Sequence, residues 1–290
     1  MLRDAYALPV TTASPPALEA YDRAVHGLLG WDAEALTLFR AAAAADPGLA
    51  LAHAGAGVCL FLEERFDEAR AALETARIAA AGQTPRERGH VEAVALLVAG
   101  KSTDAEQVMR EHLDAYPRDV LIVQRLYFIW FWQGRFPEML GLTSRLARHY
   151  AGDSFMPGLH AFALEQADRC DEAVRVARAA LTRNPRDAWA VHAFAHAVYE
   201  MAAFETGLTR LPAAIHPCSH LGWFKKHLLW HLTLMHLSRG DYARALRLSR
   251  TVFERAPSSI AGELHDSISL LWRLELCGLC LLYTSPSPRD

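Results

Sequence analysis

The sequence lacks the features that mark several large classes of protein. It has 30 Lys and Arg against 33 Asp and Glu in 290 residues, a formal net charge of −3, and no basic block that would suit a phosphate backbone. The most apolar segment, VLIVQRLYFIWFW at 120–132, is interrupted by Gln124 and Arg125. It is also shorter than the roughly 20 apolar residues that span a bilayer. We therefore expect neither a nucleic-acid nor a membrane partner.

Cysteine is scarce and shows no pairing pattern. The five cysteines are odd in number and scattered along the chain: Cys59, Cys170, Cys218, Cys277 and Cys280. This pattern indicates free thiols in a reducing compartment rather than a disulfide framework. The N-terminal MLRDAYALPVTTASPPALEAY holds no apolar stretch of signal-peptide length. Together these features predict a cytoplasmic protein.

The common catalytic motifs are also missing. The sequence has no G-x-S-x-G elbow, no P-loop and no G-x-G-x-x-G. GAGVC at 55–59 lies inside an apolar helical pattern, so its small residues predict close helix packing rather than a nucleotide loop. The aromatic run at 126–136 is at helical spacing and predicts core, with ligand contact through Trp130 or Trp132 as the alternative. The sequence thus favours a binding protein over an enzyme and assigns no catalytic residue.

What the sequence does contain is a repeat. An anchor residue, alanine in five of seven units, recurs at spacings of 34, 36, 34, 34, 34 and 38 residues. Twelve residues after every second anchor stands a proline, which ends a helix because it lacks an N–H and clashes with the preceding turn. The anchors are Ala35, Ala69, Ala105, Met139, Ala173, Gly207 and Ala245, and the prolines are Pro47, Pro117, Pro185 and Pro257.

A helix–turn–helix period of 34 residues is the signature of tetratricopeptide repeats. Two antiparallel helices that approach closely need a small residue at their crossing, so Met139 and Gly207 predict irregular packing. One pair cannot cover its own apolar face, so the pairs stack. We therefore predict an all-α fold, a right-handed α-solenoid of about seven to eight tetratricopeptide-like helix pairs. An all-α bundle with an accidental period is the alternative.

Four stretches resemble the tetratricopeptide repeat protein 38 family. They are TTASPPALEAYDRAV (11–25), WAVHAFAHAVYEM (189–201), HLLWHLTLMHLSRGDYARAL (227–246) and DSISLLWRLELCG (266–278). The resemblance covers nearly all of 11–278 and implies helical repeats without an established enzymatic activity. It also implies a longer chain than the one here.

The domain prediction follows from these patterns. Residues 1–14 are an N-terminal extension, 15–278 the repeat solenoid, and 279–290 a non-native tail. In the tail, helical periodicity gives way to LCLLYTSPSPRD, which resembles translated sequencing-adapter readthrough. The C-x-x-C formed by Cys277 and Cys280 then straddles a junction and is not interpreted as a redox or metal motif. A solenoid cut short in this way is expected to expose an apolar end.

The candidate site is a set of histidines at helical spacing. His192 and His196 are four residues apart, as are His227 and His231, so each pair projects from one helix face. The repeat register places both pairs on first helices, which line the concave surface of such solenoids. The predicted contact residues are Trp189, His192, His196, Glu200, His227, Trp230, His231 and Asp266, with His265 beside the last of these.

Three interpretations of this set stay open. The histidines are structural, bridging helices or bonding to Glu200 or Asp266. Alternatively they line a groove that binds a peptide segment or a small-molecule ligand, with Trp189 and Trp230 as apolar contacts. In the third, they bind a divalent metal such as zinc, although neither pair has the H-E-x-x-H pattern of zinc proteases. The binding scaffold is the main prediction, without a cofactor, and the sequence leaves the oligomeric state open.

Overall fold

The structure, a computed structural model, describes residues 1–252 and 260–279. Within these ranges a short antiparallel pair of strands, β1 (Leu2–Arg3) and β2 (Pro9–Val10), precedes fifteen α-helices. The helices are α1 (Pro15–Leu29), α2 (Ala35–Ala45), α3 (Ala50–Leu62), α4 (Phe66–Ala80), α5 (Pro85–Val98), α6 (Ser102–Ala115), α7 (Val120–Trp132), α8 (Phe136–Leu146), α9 (Met156–Gln166), α10 (Cys170–Arg183), α11 (Ala188–Glu200), α12 (Phe204–Ile215), α13 (Trp223–Ser238), α14 (Tyr242–Val252) and α15 (Ala261–Leu276).

The helices form a repeat solenoid, which confirms the predicted fold class. Each odd-numbered helix packs against the even-numbered helix that follows, giving seven pairs, and α15 is the first helix of an eighth. First helices of successive pairs also contact one another: α3 packs against α5, and α9 packs against α11. One continuous apolar core runs through the stack from Tyr6 to Met235. Each described helix is too short or too polar to traverse a bilayer.

All seven predicted anchor positions are buried at the crossings of the helix pairs. The crossing at Gly207 has no room for a larger residue, since a Cβ there would lie 2.3 Å from the sulfur of Met235, whereas Met139 is fully buried at its own crossing. Five residues before each of six anchors the backbone turns through a positive φ. These residues are Glu64, Gly100, Gly134, Asp168, Ala202 and Gly240. A left-handed residue therefore ends the first helix of each of these units, and glycine occupies only half of the positions.

The small residues of GAGVC pack helices together, as predicted. A Cβ on Gly57 would meet the side chain of Leu73, and one on Gly55 would lie 2.2–2.6 Å from three ring atoms of the fully buried Phe39. Gly55→Ala is expected to lower the free energy of unfolding by about 1–3 kcal/mol, because the ring has no room to move.

Gly141→Ala is the matched control, since no described atom outside its own stretch of α8 lies within 4 Å of its Cβ position. It is expected to be neutral or to stabilise by up to about 1 kcal/mol, because alanine is the better helix former. Urea unfolding of both variants measures the difference. Equal stabilities would contradict the close approach of α3 to Phe39.

A buried ion-pair network attaches the N-terminal segment to the solenoid. The Asp119 carboxylate accepts from Arg86 Nε at 2.9 Å, and its oxygens lie 2.9 Å from His112 Nε2 and 3.0 Å from His90 Nδ1. Arg86 also donates to Asp4, beside β1, at 3.1 Å. His90, His112 and Asp119 group as metal ligands do, but the Arg86 guanidinium already supplies the positive charge there, so we assign this cluster to structure.

The early helices meet the late ones, so the solenoid closes on itself. In the loop between α1 and α2, the N–H of Ala33 donates to the His220 carbonyl at 3.1 Å, and Asp32 forms an isolated bridge with Leu221. The N–H of Ala261, at the start of α15, donates to Glu64 at 2.9 Å. Residues about 190 positions apart in sequence are therefore in direct contact.

The far end of the described solenoid is apolar. Five large apolar side chains of α15 are exposed: Leu264, Ile268, Leu271, Trp272 and Leu276. Cys277 is exposed as well. Pro257, Cys280 and the predicted non-native tail beyond 279 lie outside the described residues.

Candidate metal centre

Four histidines converge between α11 and α13. His192 and His196 project from α11, and His227 and His231 from α13. One ring nitrogen from each of the four lies within 4.8 Å of the others. His192 and His231 are buried, whereas His196 and His227 are partly exposed to solvent.

The nitrogen spacing resembles that of a tetrahedral metal site. The Nε2 atom of His227 lies 3.0 Å from Nε2 of His192 and 3.2 Å from Nε2 of His231. Four ligands at about 2.0–2.1 Å in tetrahedral geometry lie about 3.3–3.4 Å apart. Nε2 of His227 therefore lies about as close to each of the other two Nε2 atoms as the ligands of a zinc ion lie to one another.

Asp266, on α15, controls which nitrogen of His227 faces the centre. Its Oδ2 lies 2.8 Å from His227 Nδ1, so the Nδ1–H donates to the carboxylate and Nε2 keeps its lone pair. Nε2 atoms of two other histidines face that single lone pair. One imidazole lone pair accepts only one good hydrogen bond, so hydrogen bonds alone cannot explain why two Nε2 atoms lie so close to that of His227. A cation that all three nitrogens coordinate suits this geometry better.

A second carboxylate, Glu165 on α9, lies on the other side of the cluster. Its Oε1 is 3.5 Å from His196 Nδ1, and the side chain is almost fully buried. Two carboxylates beside four neutral imidazoles balance the charge of a divalent cation. Carboxylates that bond the distal nitrogen of a metal-bound histidine also fix the orientation of its ring.

The environment keeps the central imidazoles neutral. Burial, reinforced by the neighbouring imidazoles, lowers the pKa of His192 and His231 well below the usual histidine range. Metal binding needs neutral imidazole, because a proton and a metal compete for the same lone pair. Near neutral pH the two buried rings therefore need lose no proton before a metal binds.

Aromatic rings enclose the cluster. Ring centroids of Trp189 and Phe162 lie 4.7 and 4.9 Å from that of His192, and Trp230 stacks on His227 at 5.5 Å. Trp189 is 5% exposed, so this predicted contact residue belongs to the buried wall. Among the described residues, the Nδ1 atom of His192 and the indole nitrogen of Trp230 are buried without a hydrogen-bond partner.

The structure brings together most, but not all, of the predicted residues. The four histidines, Trp189, Trp230 and Asp266 are grouped, whereas Glu200 and His265 are exposed and Glu165 takes the place beside His196. Sequence reasoning missed Glu165, Phe162 and Phe224, and it missed Trp31, which stacks on Trp189 from the loop between α1 and α2. Neither spacing nor composition distinguishes these four residues from ordinary helix and loop positions.

Asp187 positions α11 as its N-cap. Its Oδ1 accepts from the N–H groups of Trp189 and Ala190 at 3.1 and 3.0 Å, while Oδ2 is buried and has no hydrogen-bond partner within the described part of the chain. Burial, with a smaller contribution from the charge of Asp153, outweighs the two N–H bonds and raises the pKa of Asp187 to about 7.

This pKa predicts a pH-dependent stability. Between pH of about 4 and about 7 the folded state holds a proton that the unfolded state has lost, so stability falls as pH rises through this window. Asp187→Asn keeps the cap oxygen without the ionisation. It is expected to exceed the wild type in stability at pH 8 by about 2–4 kcal/mol and to match it near pH 4.

Thermal unfolding at the two pH values measures the effect. Asp171→Asn, at an exposed position of α10, is the control and keeps the wild-type pH profile. An Asp187→Asn variant that is less stable than the wild type at pH 8 would show that the ionised carboxylate is the favourable form.

Comparisons with known proteins support the fold. No known family model matches the chain. Among solved structures, it is similar to pilF of Pseudomonas aeruginosa, with 12% identity, a TM-score of 0.52, and 77% of this chain and 96% of that one covered. A tetratricopeptide repeat protein of Parabacteroides merdae gives 13% identity, a TM-score of 0.52, and 87% and 99% coverage.

At these identities the likeness concerns the fold alone. The tetratricopeptide-like helical repeat, predicted from the 34-residue period, is thereby confirmed. The narrower resemblance to the tetratricopeptide repeat protein 38 family stays a prediction.

Proposed function

We propose that this protein is a helical repeat scaffold that holds one divalent transition-metal ion between α11 and α13, and that the ion is zinc. The observation that carries the proposal is the convergence of four ring nitrogens, from His192, His196, His227 and His231, within 4.8 Å of one another. Zinc suits the site because it accepts four imidazoles in tetrahedral geometry. The ligand set contains imidazoles but no thiolate, and two carboxylates lie nearby. Such a set fits a divalent ion of intermediate softness, such as zinc, better than a soft monovalent ion.

The proposed role of the ion is structural. With four ligands from the chain no coordination position is left for substrate, which is the arrangement of structural rather than catalytic zinc. Such an ion would join two neighbouring first helices, and α15 would be attached through Asp266 and His227. We therefore favour a binding scaffold over an enzyme.

The free thiols of the described chain support the cytoplasmic location predicted from the sequence.

A peptide segment or small ligand on the inner surface is the second proposed function. A pocket that is open to solvent lies where the loop between α1 and α2 meets α13. Its lining is mostly apolar: Leu28, Trp31, Leu36, Leu62, Trp223 and Phe224. Of the predicted contact residues, Trp230 and His227 are partly exposed and available to such a ligand, whereas Trp189 is covered.

Elemental mass spectrometry of the tag-free full chain tests the metal proposal. After incubation with zinc and gel filtration, the wild type is expected to hold about one zinc per chain, and His192→Ala almost none. His265→Ala is the matched control, because it removes an exposed histidine outside the cluster. A wild type without zinc, or a His192→Ala variant with as much zinc as the wild type, would refute the proposal.

A further inference from the structure

We infer that metal occupancy and closure of the solenoid are coupled, so that zinc at the four-histidine centre favours the docked position of the loop between α1 and α2. This inference rests on the proposed zinc site. The contact that carries it is Trp31, whose ring stacks on Phe224 with a centroid distance of 4.5 Å and on Trp189 at 5.6 Å. The indole of Trp31 therefore sits on two rings that belong to α13 and α11.

Those two rings also wall the metal centre. Phe224 stacks on His227 at 5.5 Å and lies equally far from His192, and Trp189 contacts His192 at 4.7 Å. An ion that joins α11 to α13 through these histidines fixes the spacing of Phe224 and Trp189. The slot that receives Trp31 is made of the same two rings, so it is formed best when the ion is bound.

Backbone contacts carry the effect into the first helix pair. The segment that immediately precedes α13 supplies both contacts to the loop, through the His220 carbonyl and Leu221. A shift of α13 against α11 therefore moves the acceptor of the Ala33 N–H together with Phe224. Glu64 accepts a hydrogen bond from the N–H of Ala261, the first residue of α15. The same helix carries Asp266, which bonds His227. Both closing contacts thus lead to residues that touch the centre.

Coupling of this kind is reciprocal. If zinc favours the docked loop, the docked loop must favour zinc by the same factor. Release of the ion would loosen the loop and uncover Trp31, Trp189 and Phe224, which together form an aromatic surface on the inside of the solenoid. Zinc would then control access of a ligand to that surface.

Zinc affinity of loop variants tests the coupling, by competition with a chromophoric chelator. Trp31→Ala is expected to weaken zinc binding about tenfold, a usual size for coupling between two sites. Trp132→Ala is the matched control, because this tryptophan is 82% exposed and its ring contacts Phe131 rather than a ring of the four histidines, so the zinc affinity of the variant stays that of the wild type. Glu64→Ala, which leaves the aromatic wall intact, is expected to weaken binding less than Trp31→Ala does.

Hydrogen exchange on the wild type gives a measurement that needs no variant. Adding zinc is expected to slow exchange of the Ala33 amide about fivefold or more, and to leave α6 unchanged. Equal zinc affinity of wild type and Trp31→Ala, with Ala33 exchange unaffected by zinc, would overturn the coupling while leaving the zinc site intact. A wild type that binds no zinc would overturn both the proposed function and the coupling.

Discussion

Replacing His227 by alanine is expected to weaken zinc binding by about a thousandfold or more. His227 is central to the cluster, since its Nε2 is the atom that lies 3.0 and 3.2 Å from those of His192 and His231. Loss of a partner that only orients a ligand costs about 10–100-fold in metal affinity. Loss of the ligand itself, at the position shared by both neighbours, is expected to cost more.

The same substitution is expected to abolish thermal stabilisation by zinc. Free zinc at about a thousand times its dissociation constant stabilises a folded protein by about 4 kcal/mol. For a chain of this size that corresponds to a rise in Tm of about 8–16 °C. The wild type is expected to show this rise and His227→Ala none, while without zinc both variants fold. Differential scanning calorimetry with and without zinc measures it.

Asp266→Asn provides the graded control. It removes the negative charge beside His227 but leaves all four imidazoles in place. Its zinc affinity is expected to fall by about 10–100-fold, between those of the wild type and His227→Ala. If zinc raises the Tm of His227→Ala as much as that of the wild type, the ion binds elsewhere on the chain.

Asp119→Ala is expected to lower the free energy of unfolding by about 3–5 kcal/mol, because it breaks a buried ion pair and removes one of the two carboxylates that balance the Arg86 guanidinium. Burial alone would raise the pKa of the Asp119 carboxyl, but Arg86 and then His90 and His112 outweigh it and hold the pKa well below its usual range. The group is therefore ionised and accepts three charged or polar donors. Removing it leaves Arg86 with Asp4 as its remaining ion-pair partner.

Asp114→Ala is the control that shows how much of the loss depends on burial of the ion pair rather than on its charge. Asp114 also pairs with an arginine, Arg145, at 3.2 Å, but its side chain is 75% exposed. An exposed pair contributes about 1 kcal/mol at most. Guanidinium unfolding of the two variants is expected to show a large loss for Asp119→Ala and almost none for Asp114→Ala. Similar small losses would mean that the N-terminal segment is held by its apolar contacts.

The repeat could be predicted because its causes are local. A small residue at six of the seven crossings, a turn after the first helix and a proline after every second unit recur at spacings close to 34 residues, and each acts on its immediate neighbours. The histidine pairs could be predicted for the same reason, since His192 and His196 share a face in any α-helix. The fixed period then predicted that two such helices stand side by side.

Closure of the solenoid could not be predicted from the sequence. Each helix pair is rotated slightly relative to the pair before it. Whether Trp31 reaches Phe224 depends on the sum of six such rotations, from the first pair to the seventh, and no single spacing in the sequence encodes that sum. Glu165 was missed because it lies on a neighbouring first helix without a distinctive motif. Glu200 was included because it shares the stripe of His192 and His196, but it lies at the exposed end of α11.

X-ray absorption at the zinc edge of the loaded full-length protein tests the central claim most directly. The account predicts a single shell of four nitrogen ligands at about 2.0–2.1 Å, with the outer-shell scattering of imidazole rings. His227→Ala is expected to lose that signal. A shell containing sulfur, or one of six oxygens with fewer than three imidazoles, would contradict the four-histidine centre.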